Sequence, residues 1–125
     1  MEQKVTIYFF DTYAFIEIIK GNKSYEGFLN SDFRTTLLNL YELYYNLLKD
    51  YGEETAKKYF RNFFPFVIEI KNEYIFEASK FKLNHKKTNI SYVDALGYSL
   101  SKIEDYKFLT GDKEFENMPN VEFVK

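Results

Sequence analysis

The sequence contains no cysteine and only one histidine, His85. Without cysteine the chain forms neither a disulfide nor a thiolate zinc site. A single histidine excludes metal motifs that need two, such as H-E-x-x-H. If the protein is an enzyme, its chemistry must therefore rest on carboxylates, lysines, hydroxyls or a metal ion bound by oxygen ligands.

The sequence also lacks a strong charge bias and a long apolar run. The formal net charge is −2, whereas proteins that grip nucleic acid by bulk electrostatics usually carry a large basic excess. Any nucleic-acid contact must then come from local basic patches. No apolar run approaches the roughly 20 residues of a membrane helix, and the N-terminal segment MEQKVTIYFF is too short and too acidic for a signal peptide. We expect a cytoplasmic protein with no membrane segment.

What the sequence does contain is enough apolar material for a core. Hydrophobic residues make up 46% of the 125 residues, and charged residues 29%, which is typical of folded rather than disordered chains. A chain of this length is the size of one domain. We therefore predict a single domain over residues 1–125.

Apolar segments alternate with segments of helical spacing. Four segments predict strands: residues 4–10, 65–70, 106–110 and 121–124. Helical patterns cover residues 12–20, a long helix from Ser31 or Asp32 to Gly52, residues 53–64, residues 72–86 and a helix that begins near Ser91. Strands that alternate with helices predict parallel strands joined by helical crossovers. The predicted fold is therefore α/β, a three-layer sandwich with a short, mainly parallel sheet flanked by helices.

The long helix is the most apolar helix of the chain. Its apolar residues recur every three or four positions and predict one buried face, formed by Phe33, Leu37, Leu40, Tyr41, Tyr44, Leu48 and Tyr51. Glu42 falls on the flank of this stripe, beside Leu38 and Tyr45. A residue on the flank either leans into a cleft or points to water.

Acidic residues follow two of the predicted strands. Asp11 comes directly after the first strand, and Asp112 comes two residues after Thr110 at the end of the third. Ligands of open parallel sheets bind at the carboxyl ends of the strands, so both acids should emerge at one edge. Neighbouring carboxylates repel each other unless a cation neutralises them, and Mg²⁺ or Mn²⁺ suits oxygen ligands. Glu42 and Asp94, on predicted helices, are candidates to join them.

Each acid also has an ordinary structural explanation. Asp11 and Asp112 can cap a helical turn, and Glu42 can be a solvated helix residue. Asp94 lies three residues after Ser91, as the acidic half of a capping box. The combination of the four acids on an alternating α/β chain, rather than any one of them, favours a metal site.

The chain contains four blocks in this order: FFDTYAFIE, LLNLYELYYNLL, SYVDAL and FLTGDKEFE, followed by the closing segment NMPNVEFVK. This order resembles the PIN domain family, in particular its VapC toxin-like members from bacteria and archaea. The resemblance runs over the whole chain. It implies a metal-dependent ribonuclease whose acidic quartet corresponds to Asp11, Glu42, Asp94 and Asp112. Thr12 matches the Asp-Thr/Ser opening and either supports the site or begins the helix. Thr110 matches a hydroxyl position that would support the metal ion or the scissile phosphate.

The sequence departs from the family pattern in a few places. Tyr13 stands where a small residue is common, and residues 71–89 carry few landmarks. Glu42 is the acid whose register is least fixed, so Glu17 and Glu104 are spare candidates.

The resemblance implies hydrolysis of RNA phosphodiester bonds with Mg²⁺ or Mn²⁺. Asp11 and Asp112 would be the direct ligands, and Glu42 and Asp94 would act through water or hold the nucleophilic water. A metal-free ribonuclease with a histidine pair is disfavoured by the single histidine. RNA contacts are predicted at Lys20, Lys23, Arg34, Lys86, Lys87 and Lys113, although each is more readily explained as an ordinary solvated cation. An exposed tyrosine such as Tyr13 would stack on a base.

The resemblance further implies the toxin of a toxin–antitoxin pair, a homodimer and an antitoxin that blocks the site. One alternative is a catalytically silent PIN-like module that acts in binding or assembly, against which the presence of all four acids counts. Another is a receiver-type phosphoacceptor domain. That class needs a further aspartate at the end of a middle strand, and the segment PFVIEIKNE contains none, so this alternative ranks third.

Overall fold

A four-stranded sheet lies at the centre of the structure, a computed structural model that describes residues 5–125. The strands are β1 (Ile7–Phe10), β2 (Asp32–Arg34), β3 (Lys107–Thr110) and β4 (Val121–Phe123). Their order is β2-β1-β3-β4, and every neighbouring pair is parallel. The predicted parallel sheet is confirmed.

Five α-helices connect and flank the strands. They are α1 (Thr12–Ile19), α2 (Leu37–Tyr51), α3 (Glu53–Phe63), α4 (Asn72–Asn84) and α5 (Tyr92–Glu104), with 3-10 helices at Lys23–Asn30, Phe64–Phe66 and Lys113–Phe115. The Ser91 side chain caps α5, as its spacing predicts, and Gly21 with φ +82° follows the end of α1. In residues 5–125, none of the helices combines the length and apolarity that a membrane span requires.

Two hydrophobic clusters cover the two faces of the sheet. Successive strand residues point to opposite faces, so Phe10 joins a cluster with α1, α2 and α3, whereas Phe9 joins a cluster with α4 and α5. Leu109 and Phe108 divide in the same way on β3. Helices on both faces of one sheet form the predicted three layers, which are confirmed.

Gly97 lets α5 lie directly on the sheet. A Cβ atom at this position would lie 2.6 Å from Cε1 of Phe9 and 3.2 Å from Cε1 of Phe108. Any larger residue would push α5 away from β1 and β3. Because α5 carries Asp94 in its first turn, this close packing also fixes the position of that carboxylate.

The predicted strand at residues 65–70 is wrong. Pro65 lies in a 3-10 helix, and the following chain makes a single bridge between Val67 and Thr35. Pairing stops there because the next residue, Thr36, already caps α2. The outer strand is instead β2, where the long helix was predicted to begin. The first strand is shorter than predicted, and residue 4 lies outside the described residues.

The predicted buried face of the long helix is also largely wrong. The side of α2 that faces the core consists of Asn39, Leu40, Leu43 and Leu47. Six apolar residues face outward instead: Leu37, Leu38, Tyr41, Tyr45, Leu48 and Tyr51. A helix with apolar residues on all sides has no periodicity that identifies its buried face. We call the exposed residues Leu37, Leu38, Tyr41, Tyr45 and Leu48 the α2 outer surface.

Candidate active site

The candidate site lies at the carboxyl edge of the sheet, between β1 and β3. The chain runs from β1 outward to β2 on one side, whereas β3 and β4 lie on the other, so the strand order changes direction between β1 and β3. Such a switch point leaves a crevice at the carboxyl ends of the strands. Asp11 follows β1 at this crevice, and Asp112 follows β3.

Asp11 is a buried carboxylate with several hydrogen-bond donors. Its side chain is the N-cap of α1, and Oδ1 accepts a hydrogen bond of 2.8 Å from the Ala14 amide. The Thr110 hydroxyl also donates to it. Burial nevertheless raises the pKa of Asp11 to about 8, and the charges of Asp94 and Asp112 add to the increase. The side chain therefore caps α1 and at the same time lines the crevice.

Thr110 links the two acids that follow the strands. Its hydroxyl donates to Asp11 and accepts a 3.0 Å hydrogen bond from the Asp112 amide. Asp112 in turn caps the 3-10 helix Lys113–Phe115, because its Oδ1 accepts from the Glu114 amide at 3.0 Å. The backbone after β3 is thereby held in a fixed turn that presents the second acid.

Asp94 reaches the same crevice from the first turn of α5. The Ser91 hydroxyl accepts a 3.1 Å hydrogen bond from the Asp94 amide, which starts the helix at this edge of the sheet. Burial raises the pKa of Asp94; the Ser91 hydroxyl opposes this, and the charges of Glu42 and Asp112 add to it. The carboxyl group thus has two acidic neighbours from other elements.

Glu42 is held by a network that the sequence patterns do not reveal. The Thr12 hydroxyl donates to Glu42 Oε1 at 2.7 Å, and Asn39 Nδ2 donates to the same hydroxyl at 3.3 Å. The Thr36 hydroxyl donates to Asn39 Oδ1 at 2.6 Å. Asn39 is a polar residue on the buried side of α2, 1% exposed. Its position three residues after Thr36, the N-cap of α2, is the one sequence signal that could have identified it.

Three of the four predicted acids line one cleft. Its volume is about 560 Å³, and its wall consists of Asp11, Tyr13, Ile16, Asp94, Gly111, Asp112 and Lys113. Glu42 does not line this cleft, but its charge acts on Asp94. Among residues 5–125, no three acidic or histidine side chains stand in an arrangement that holds a metal ion by direct contacts alone.

The chemistry of these donors fits a hydrated divalent cation. Mg²⁺ usually keeps several waters and contacts only one or two carboxylates, so it does not need three direct protein ligands. All the candidate donors are oxygens, which hard cations prefer. Burial is the main cause of the raised pKa of Asp11, and the charges of Asp94 and Asp112 add to it, so a bound cation would favour the ionised carboxylate.

Of the predicted RNA-binding residues, Lys113 lines the cleft. Lys86 and Lys87 are exposed in the turn between α4 and α5 and do not line the cleft. Lys20 follows the far end of α1 and pairs with Glu17 at 3.8 Å, while Lys23 is exposed in the 3-10 helix beyond it. Arg34 pairs with Asp32 on the outer strand. The structure thus brings one of the predicted cations to the acids.

The two spare acids have other partners. Glu17 accepts a hydrogen bond from Asn22 at 3.1 Å in addition to its pairing with Lys20. Glu104 lies at the far end of α5, where it accepts a hydrogen bond from the Tyr74 hydroxyl. Neither residue lines the cleft.

Solved structures with the same fold are VapC-type toxins and toxin–antitoxin complexes. VapC20 from Mycobacterium tuberculosis, described as a sarcin–ricin loop cleaving toxin, has a TM-score of 0.76 and 17% identity, over 96% of this chain and 100% of that one. VapBC2 from Rickettsia felis, bound to a promoter DNA fragment, has a TM-score of 0.73 and 23% identity, with coverage of 96% and 100%. A toxin–antitoxin complex from Klebsiella pneumoniae has a TM-score of 0.74 and 18% identity, with coverage of 92% and 95%.

At these identities the structural likeness shows the fold. No curated protein is similar enough in sequence to count as a match. The family model of the PIN domain, however, matches residues 8–121, which include β1 from its second residue and all four predicted acids. The chain therefore belongs to the PIN domain family.

Proposed function

We propose that this PIN domain protein is a metal-dependent ribonuclease that hydrolyses RNA phosphodiester bonds. One observation carries the proposal: Asp11, Asp94 and Asp112 come from three separate elements and line one cleft at the switch point of the sheet. Desolvated like charges are costly for folding, so their convergence favours a functional role over chance. The resemblance to a toxin described as cleaving the sarcin–ricin loop supports RNA as the substrate.

In this proposal Asp11 and Asp112 hold the Mg²⁺ or Mn²⁺ ion, and Asp94 and Glu42 act through water. The bound ion supplies a water of lowered pKa and positive charge near the phosphate. Thr110 keeps Asp11 and Asp112 in their relative orientation through its two hydrogen bonds. Thr12 orients Glu42. Lys113 is the cation in the cleft wall that would attract the RNA backbone.

The test is RNA cleavage by the wild type and by Asp11→Asn, each with Mg²⁺, with Mn²⁺ and with a chelator. Asparagine caps helices as well as aspartate does, so the variant keeps the fold but loses the charge. Asp50→Asn, at an exposed position near the end of α2, is the matched control. We expect cleavage by the wild type and by Asp50→Asn with metal, and none by Asp11→Asn or with the chelator.

Equal cleavage by the wild type and Asp11→Asn would contradict the proposal. A well-folded wild type that cleaves neither single-stranded nor structured RNA with either metal would instead support the silent binding module. The two outcomes are distinguished by whether any cleavage is seen at all.

The proposal includes a toxin–antitoxin role in the cytoplasm, a homodimer and an antitoxin partner. Neighbours of the same fold are toxin–antitoxin complexes, and the α2 outer surface offers an apolar area that the chain itself leaves uncovered. Monomeric proteins rarely expose large contiguous apolar patches. We expect the wild type to arrest the growth of a bacterial host on expression, and Asp11→Asn not to do so. Growth that the wild type leaves unaffected would contradict the toxin role.

A further inference from the structure

Tyr13 places an exposed aromatic ring in the acidic cleft. Its side chain is 40% exposed, and it lines the same wall as Asp11, Asp94 and Asp112. The residue lies in the first turn of α1, two residues after the buried Asp11. The ring thus combines an accessible surface with a place beside the acids.

The Tyr13 ring packs directly against Gly111, where a side chain would clash with it. A Cβ atom there would lie 2.2 Å from Cε1 and 2.8 Å from Cζ of Tyr13. The hydroxyl end of the ring therefore rests on the backbone between Thr110 and Asp112. On another side, the Tyr25 ring lies 6.4 Å away between centroids, at an angle of 48°. Tyr25 is itself buried, and its hydroxyl donates to the Val124 carbonyl.

These contacts fix the orientation of the ring and leave part of its surface open to the cleft. A rigid aromatic surface next to a phosphate-binding centre is what a nucleobase stacks on in single-stranded RNA recognition. Stacking tolerates every base because each base has a π-face. A ring at this place would orient the RNA backbone without selecting a sequence.

We propose that Tyr13 is a positioning residue that stacks on the nucleobase next to the scissile phosphate. The inference rests on the proposed ribonuclease function and deepens it, because it names a residue that places the substrate. Tyr13 contributes no group to the hydrolysis itself. The stacked base anchors the RNA in the cleft equally before and during hydrolysis.

The test is a double-mutant cycle between the ring and the base. A pool of random-sequence RNA first identifies a site that the wild type cleaves. A short oligonucleotide spanning that site is then prepared intact and with the base on either side of the scissile phosphate removed in turn. Cleavage kinetics are measured for the wild type, Tyr13→Phe, Tyr13→Leu and the control Tyr51→Leu, which removes an exposed ring at the far end of α2.

With the intact oligonucleotide, we expect Tyr13→Leu to raise KM by about tenfold with kcat nearly unchanged, because stacking contributes equally to the ground state and the transition state. Tyr13→Phe keeps the π-face and should behave like the wild type, as should Tyr51→Leu. Removing one of the two bases should raise the KM of the wild type by a similar factor. The same removal should have little further effect on Tyr13→Leu.

Additive effects of Tyr13→Leu and of base removal at both positions would overturn the stacking proposal. So would a loss of thermal stability in Tyr13→Leu that accounts for its loss of activity, since this is the signature of a packing role. Failure of the proposed function looks different: the wild type would cleave no RNA, and the stacking proposal would then be wrong with it.

Discussion

The carboxyl edge of the sheet and the α2 outer surface depart from the usual distribution of side chains in opposite directions. At the edge, a carboxylate is buried: Asp11 is 2% exposed, and burial raises its pKa to about 8. On the outer surface, large apolar side chains face water: Tyr41 is 71% and Tyr45 60% exposed. Both arrangements cost free energy in the isolated chain. Under the proposed function, a cation would offset the cost at the edge and a protein partner would cover α2.

The two regions differ in how the chain compensates for them. The acids at the edge receive hydrogen bonds from Ala14, Thr110 and Thr12. The exposed apolar side chains of the α2 outer surface would gain comparable stabilisation only by being covered. The regions meet at Glu42, which lies between Tyr41 and Tyr45 in a surface depression and also acts on Asp94. Away from Glu42, substitutions at the edge should affect catalysis, and substitutions on α2 should affect association.

Beyond Asp11→Asn, the largest effect is expected for Asp112→Asn. Asparagine preserves the cap of the 3-10 helix, whereas loss of the charge should reduce metal-dependent cleavage by about 100-fold or more. Thermal unfolding should show no loss of stability. The assay is cleavage of an RNA oligonucleotide at saturating Mg²⁺, with Tyr41→Lys as a control that should retain the cleavage rate. A rate loss in Tyr41→Lys that equals the loss in Asp112→Asn would contradict the separation of catalysis at the edge from association at α2.

The second prediction concerns the pH dependence of stability without metal. The pKa of Asp11 is raised from 3.8 to about 8, so between these pH values the folded state binds more protons than the unfolded state. The free energy of unfolding must then fall as pH rises through this window. Asp94, whose pKa is also raised, acts in the same direction. The total loss should be of order a few kcal/mol.

Denaturant unfolding from pH 4 to pH 8, with a chelator present, measures this slope. Asp11→Asn should flatten it and should be more stable than the wild type near pH 8. Saturating Mg²⁺ should restore part of the stability of the wild type at high pH, because a ligand that binds the folded state stabilises it. Identical slopes for the wild type and Asp11→Asn would show that folding does not raise the pKa of Asp11.

A smaller effect is expected from the network that holds Glu42. Thr12→Val removes the hydroxyl that donates to Glu42 and accepts from Asn39, and it should lower cleavage by about tenfold. Thr12→Ser keeps the hydroxyl and should restore most of the rate. If valine and serine variants cleave equally well, the orientation of Glu42 does not depend on this hydroxyl.

The smallest effect on the folded chain is expected on the α2 outer surface. Because Tyr45 is exposed, Tyr45→Lys should change the free energy of unfolding by less than about 0.5 kcal/mol. Its effect should appear in association: the wild type should have twice the 15.1 kDa mass of one chain, and the variant should shift toward the monomer. Light scattering measures both. A wild type that is monomeric at all concentrations would contradict the proposed homodimer.

The parts of the fold that were predictable are those in which local chemistry decides the structure. The apolar runs that became β1, β3 and β4 have no competing helical pattern, and Ser91 caps α5 as its spacing predicts. The missed strand β2 has only three residues, which is too short for a two-residue period to appear. The segment 65–70 has strand composition, but its neighbour Thr36 leaves the sheet to begin α2.

The candidate site was likewise predictable from the sequence only in part. The position of Asp11 and Asp112 after strands was enough to place them at one edge, because parallel strands end on the same side. The roles of Asn39 and Gly111 depend on contacts with Thr12 and Tyr13 from distant parts of the chain. The outward face of α2 was misassigned because its apolar residues satisfy helical spacing on more than one side.

The most direct test of the metal site is the binding of Mn²⁺ to the wild type and to Asp11→Asn, measured at pH 8 by electron paramagnetic resonance and located by anomalous diffraction. We expect Mn²⁺ in the cleft between Asp11, Asp94 and Asp112 of the wild type, and strongly weakened binding in Asp11→Asn. No Mn²⁺ in the cleft, or equal binding by both proteins, would contradict the proposed metal site.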